Sequence, residues 1–232
     1  MKTHYLFALG TLCIGAAACG QSTFQNLDFE QAVVQPLPSD NILLEWSLAV
    51  PGWSSATSFV YYREGHLGVG PLYLLMDPTS PVWAPGTQLA GQYSLAFTSG
   101  YAGNNPSGPW VNVGIAQSGV VPNSSRSIRL LAHGTFAATG PFQVFLGAVE
   151  IPMFSLGGNS YGGDISGFAG DFVNLRIVNS AGVGHLGEGV VVDNILFSPE
   201  VIPEPSTLGL LGLSGLLLAA QWHYRKGVAP YS

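Results

Sequence analysis

The chain has 232 residues, with 7 Lys or Arg against 13 Asp or Glu and a net charge of −6. Between Gln21 and Glu204 the cations are Arg63, Arg126, Arg129 and Arg176, so 4 against 13 leaves −9; this lacks the clustered positive charge that tracks phosphates and argues against nucleic acid as a partner. The two cysteines, Cys13 and Cys19, lie close to the N-terminus, so the rest of the chain must be held by a packed core rather than by disulfides.

At the N-terminus, Lys2 precedes an apolar stretch from Tyr5 to Ala18 and then small residues. That pattern predicts a Sec signal peptide over 1–20, cleaved after Ala18 or Gly20, and hence export. Few charges and abundant Gly, Ser, Asn and Thr suit an extracellular β-rich domain. Residues 21–200 are long enough for one domain with a single core.

Short β-type runs separated by Gly, Pro and Asn recur through 21–200, and no stretch shows a convincing amphipathic helix period. Strands are expected at Thr23–Phe29, Ile42–Ala49, Ser58–Arg63, Leu72–Met76, Tyr93–Thr98, Val111–Gln117, Ser127–Ala132, Phe142–Val149, Phe172–Val178 and Val190–Ser198. Tyr93, Leu95 and Phe97 alternate with Ser94 and Ala96, Ile128 and Leu130 with Ser127 and Arg129, and Val173, Leu175 and Ile177 with Asn174 and Arg176. Such alternation sends one face to a core and one to water, as in a β-sandwich. Gly100–Gly108 and Leu156–Gly170 read as long glycine-rich loops, where binding residues concentrate. Tyr101, Trp110 and Tyr161 sit in or beside them and are candidate platforms for sugar faces.

Catalytic patterns are weaker. Gly158-Asn159-Ser160-Tyr161-Gly162 fits a nucleophile pattern, with Asp171 and His185 following in a permissible order, but nothing after it starts the helix that a nucleophile elbow requires. Gly65-His66-Leu67-Gly68 recurs as Gly184-His185-Leu186-Gly187; two histidines fall short of a closed metal site. The domain is therefore expected not to be an enzyme.

The C-terminal stretch reads as an address. Pro203 and Pro205 lack amide donors and hold the backbone extended. Ser206 to Trp222 would span roughly 26 Å as a helix at about 1.5 Å per residue, close to the ~30 Å hydrocarbon core. Leu208–Ala220 supplies the apolar surface, Trp222 and Tyr224 suit the headgroup layer, and Arg225 with Lys226 set the orientation by the positive-inside bias. A single transmembrane helix is expected.

This tail, with Pro203, Glu204 and Pro205 matching residue for residue, closely resembles the PEP-CTERM sorting signal of Gram-negative bacteria. The resemblance implies an exosortase partner, a membrane-anchored intermediate, and delivery to the cell surface or extracellular matrix, with 201–232 as the sorting unit.

A second resemblance lies in the middle of the chain. Asn26-Leu27-Asp28-Phe29-Glu30, Pro51-Gly52-Trp53, Gly91-Gln92-Tyr93-Ser94-Leu95 and Val192-Asp193-Asn194-Ile195-Leu196-Phe197 look like landmarks of galactose-binding-like jelly rolls, as found in carbohydrate-binding modules. It implies an all-β jelly-roll sandwich, and a structural calcium met by Glu30 and Asp193. The reading as a whole is an exported structural or adhesive protein, associated with biofilm or extracellular polysaccharide. A carbohydrate-binding module is the alternative, and a secreted hydrolase a more distant one.

Overall fold

The computed structural model describes residues 23–37, 40–62, 70–80, 89–102, 105–134, 142–179 and 189–202. The expected leader, Pro203, Glu204 and Pro205, the Leu208–Ala220 run, Arg225 and Lys226, and both His66 and His185 lie outside these residues. Among the described residues no helix is long and apolar enough to cross a membrane.

The described chain is all-β. Its strands are β1 (Pro36–Leu37), β2 (Asp40–Glu45), β3 (Phe59–Tyr62), β4 (Leu72–Met76), β5 (Ser94–Thr98), β6 (Gly100–Tyr101), β7 (Trp110–Val111) and β8 (Gly114–Val120), followed by β9 (Ser127–Gly134), β10 (Phe142–Leu146), β11 (Val149–Ile151), β12 (Phe154–Gly157), β13 (Ser160–Asp164), β14 (Phe172–Asn179) and β15 (Gly189–Ser198). One helical turn, α1 (Trp46–Ala49), and a three-residue 3-10 turn at Ser166–Phe168 interrupt them.

Among the described residues the strands form a nine-stranded sheet in the order β1-β2-β3-β4-β5-β15-β9-β13-β12, a four-stranded sheet β11-β10-β14-β8, and the small pair β6-β7. Neighbours are antiparallel except β3 and β4, which run parallel. The last strand, β15, is inserted between β5 and β9 in the middle of the large sheet. The chain therefore closes its fold only after nearly all of it has been made.

The two main sheets share one core. Leu44, Tyr73, Leu95, Phe97, Ile128, Leu130, Val190 and Val192 from the large sheet pack in the same cluster as Ile115, Val144, Leu146, Leu175 and Ile177 from the small one. Each of these is at most 2% exposed, so the core excludes water across its full width. A buried polar pin ties the sheets at one end. Asn179 Nδ2 donates to Phe97 O (3.2 Å), Val113 N donates to Ser99 Oγ (3.2 Å), and Asn179 N donates to Val113 O (2.8 Å).

Several expectations are corrected. Thr23–Phe29 is not a strand: it makes one bridge at Thr23 and then turns, with Asn26 and Phe29 in left-handed conformation at φ 47° and 58°. The strand expected over Ile42–Ala49 ends at Glu45, where Trp46, Ala49 and Val50 bury a helix-spaced i, i+3, i+4 stripe and Val50 N donates to Trp46 O (2.8 Å). Val111–Gln117 is two pieces, β7 and β8. Phe142–Val149 folds back on itself, because Gly147 at φ 61° turns the chain between Leu146 and its partner Val149. Leu156–Gly170 is no open loop: it contains the β12-β13 hairpin, whose second strand pairs along β9.

The expectation that Ser94 and Ala96 face water also fails. All five residues of β5 are buried. A second cluster, Leu74, Met76, Ala96 and Val191 with Tyr61 and Leu89 packed on it, covers the outer face of the large sheet. Alternation at Tyr93–Phe97 thus separates two buried faces rather than a dry one from a wet one.

Candidate functional site

The four landmark segments, scattered in sequence, meet at one end of the sandwich. Asn26, which joins the first two of them, is 3% exposed. Its Nδ2 donates to Pro51 O (3.0 Å), its Oδ1 accepts from Gln31 N (3.0 Å), and its carbonyl accepts the Trp53 indole N–H (2.9 Å). Asparagine tolerates the left-handed backbone required here because its short amide bonds locally. Ile195 N donates to Leu27 O (2.9 Å), which joins the last strand to the first segment. A register shift between Asp193 and Leu196, with Asn194 at φ 46°, bulges β15 and makes that contact reachable.

Glu30 and Asp193 complete the junction by binding backbone. Glu30 Oε1 accepts from Gln92 N (2.6 Å) and Tyr93 N (3.0 Å). Asp193 Oδ2 accepts from Ala90 N (3.0 Å) and Ser94 Oγ (2.7 Å), and its Oδ1 from Asn194 N (2.6 Å). Gly91 lies beneath the first carboxylate at φ 53°, and a Cβ there would collide with Glu30 Oε1. Asp193 is 1% exposed. Burial pushes its pKa up to about 6, against the lowering effect of its hydrogen bonds, and the charge of Glu30 adds to the rise.

Calcium wants six to eight oxygens. Here three of the four carboxylate oxygens are aimed at N–H or O–H donors, and no group of three His, Cys, Asp or Glu suited to a metal occurs among the described residues. The donor set fits a hydrogen-bonded clasp better than a cation.

The structure places the expected aromatic platform in two parts. Tyr101 and Trp110 are paired edge to face across β6-β7, with ring centroids 5.3 Å apart and planes at 85°. The Trp110 indole N–H donates to Asn112 Oδ1 (3.1 Å). Tyr161 lies on β13 and packs edge to face on Phe142 (5.2 Å). Ser160, the candidate nucleophile, begins β13 opposite Gly157 in a hairpin, and β13 continues for five residues instead of entering a helix. Asp164 Oδ1 accepts from Ser166 N (2.8 Å), which starts the 3-10 turn.

A cleft of about 600 Å³ opens beside α1, in the range of small-ligand sites. Its walls include Trp46 and Trp53, both nearly buried, and Phe59, which is 48% exposed. Glu45 pairs in register with Phe59, so the two side chains leave the same face of the sheet. The rim carries Ser47, Ser54, Ser55, Thr57 and Ser58. Four of these hydroxyls donate to protein acceptors: Ser47 to Glu45 Oε1 (2.6 Å), Ser54 to Ala116 O (2.9 Å), Ser55 to Thr57 O (2.7 Å) and Thr57 to Phe59 O (2.7 Å). Ser55 Oγ also accepts from Thr57 N (3.2 Å); with their protons engaged, the acceptor capacity left on these hydroxyl oxygens suits a ligand rich in hydroxyl donors. Sequence reading missed this site. Its available signal was the hydroxyl run Ser54-Ser55-Ala56-Thr57-Ser58 directly after Pro51-Gly52-Trp53.

After Ser198 the chain stays attached to the domain. Arg126 N donates to Ser198 O (2.7 Å), Ser127 Oγ donates to Glu200 O (2.7 Å), and Arg129 Nη2 lies 2.7 Å from Glu200 Oε2. Ile202 is 8% exposed and packs on Gly162, where a Cβ would lie 2.6 Å from Ile202 Cδ1 and 3.0 Å from Leu156 Cδ1.

No curated protein matches the chain. Residues 201–226 match the PEP-CTERM protein-sorting motif, so the chain carries the signal of exported proteins that exosortases sort to the cell surface.

Proposed function

We propose that the delivered domain is a non-catalytic structural or adhesive component of the cell surface or extracellular matrix, and that it holds extracellular polysaccharide through the cleft beside α1. The observation that carries this reading is the strand register that sets Glu45 opposite half-exposed Phe59 in a cleft lined by serine and threonine. An aromatic face takes the apolar C–H side of a pyranose, while a carboxylate and hydroxyl lone pairs take its O–H groups. The meeting of the four landmark segments supports a jelly-roll sandwich of the galactose-binding-like kind. Export through the Sec pathway and a transient inner-membrane anchor complete the route that the sorting motif begins.

The test is binding of the purified domain to a polysaccharide and glycan panel. Phe59→Ala and Glu45→Gln should each weaken binding at least severalfold and leave melting unchanged. Binding lost on Trp110→Ala but not on Phe59→Ala would move the site to the Tyr101 and Trp110 pair. Hydrolysis of a panel member that Ser160→Ala abolishes would overturn the non-catalytic reading.

A further inference from the structure

We propose that Ile202 is a latch that withholds the sorting motif: while its side chain sits on Gly162, the chain up to the residue before Pro203 belongs to the folded domain. Processing by exosortase then requires that segment to lift off.

The geometry leaves no spacer. Glu200 is held by Ser127 and Arg129, Val201 is exposed, and Ile202 is buried against Gly162 beside Leu156. Pro203 follows directly in the sequence. A processing enzyme that reads a peptide as an extended strand needs residues on both sides of its target free of other partners. With Ile202 docked, the residue next to the motif lies against β13 and Glu200 is held on β9, so neither is free to enter such a cleft. The stretch from Pro203 to Thr207 can extend at most roughly 20 Å, so the latch edge is also tethered close to the start of the apolar run.

The latch is built to open. Its ion pair is partly solvated, with Arg129 and Glu200 at 28% and 70% exposure, and such pairs hold weakly. Its apolar hold is one isoleucine beyond the last strand, where opening is local and leaves the core intact. The docked state lowers the apparent affinity of the enzyme for the motif by the fraction of molecules that are open. Gly162 makes this possible, since any side chain at that position would fill the seat.

The full-length precursor, expressed in a host with the cognate exosortase, provides the test by pulse-chase and intact mass. Gly162→Val fills the seat and ejects Ile202. Separately, inserting Gly-Ser-Gly-Ser-Val-Ile between Ile202 and Pro203 keeps the latch docked and preserves the local context of the motif, but frees the motif from the domain. Each change should speed conversion of precursor to mature protein by roughly tenfold. If Gly162→Val abolishes cooperative melting, Ser127→Ala with Arg129→Ala replaces it, since this pair loosens Glu200 without adding bulk, and the same acceleration is expected. Processing at the unaltered rate, or more slowly, in either the insertion or the folded latch variant overturns the proposal.

Discussion

Glu30 and Asp193, from the first described turn and the last strand, grip the same short segment, Ala90–Ser94: Asp193 holds its two ends and Glu30 its middle. Their roles differ in depth. Asp193 is 1% exposed and serves three donors, whereas Glu30 is exposed. Asp193→Ala should lower unfolding free energy by about 2 to 4 kcal/mol, because it strands buried donors, and Glu30→Ala by about 1 kcal/mol. Urea denaturation of the purified domain measures both, and equal costs would contradict the assignment of depth.

Gly91 extends the argument to the backbone. Its φ of 53°, together with the collision that an added Cβ would make with Glu30 Oε1, makes Gly91→Ala costly, by about 1 to 3 kcal/mol. Part of that cost is the collision with Glu30. In the Glu30→Ala background Gly91→Ala should therefore cost less, and a double-mutant cycle should show coupling of at least about 0.5 kcal/mol. Additive losses would mean that the strain is wholly in the backbone.

The raised pKa of Asp193 has a defined sign. With the folded value near 6 and the ordinary value at 3.8, the folded state binds a proton more tightly than the unfolded one. The stabilisation is fully present below about pH 4 and is lost as pH rises through 6. The span amounts to about 2 to 3 kcal/mol at most. The melting temperature of the parent domain should thus fall between pH 5 and pH 7.5 more steeply than that of Asp193→Asn. Glu30→Gln should also flatten the slope, because its charge contributes to the rise. Parallel profiles in all three proteins would remove Asp193 as the cause.

How much of this was legible beforehand depends on the kind of information involved. Strand positions such as Leu72–Met76 and Phe172–Val178 could be read because a short apolar run or a period-two alternation, bounded by turn residues, is a local signal. The second buried face of β5 could not, since Ser94 and Ala96 look like solvent-side residues until Leu74, Met76 and Val191 are placed beside them. The four segments could be singled out, but their convergence on Asn26–Glu30 depends on pairings between distant segments that no local pattern encodes. The cleft was hidden for the same reason: Glu45 and Phe59 become neighbours only when β2 and β3 pair in this register. Ile202 reads as part of the tail, and only its seat on Gly162 shows that it is also part of the domain.

Calcium gives a separate check on the clasp. Its carboxylates already accept backbone donors, so millimolar calcium or a chelator should shift the melting temperature of the domain by less than about 1 °C. A rise with calcium that disappears in Asp193→Ala would show that a hard cation displaces those amides and that the clasp is a metal site after all.

The sorting motif carries the last prediction. Neither Pro203 nor Pro205 can donate a backbone hydrogen bond or continue a helix, which suits a site that must be read as an open chain. On the proposed route the Leu208–Ala220 run would hold that site at the bilayer until cleavage, since a spanning helix is effectively irreversible while attached. Replacing Pro203, Glu204 and Pro205 together by alanine should therefore trap a membrane-bound precursor that retains the apolar run, while the unaltered chain yields a smaller surface protein lacking it. Neutral substitutions at Arg225 and Lys226 should act earlier, by weakening the orientation that presents the site on the outer face. Fractionation with intact-mass measurement in a host containing the exosortase separates these outcomes. Recovery of the whole apolar run on the mature surface protein would mean that the tail is a permanent anchor, and the latch at Ile202 would then have no cleavage to delay.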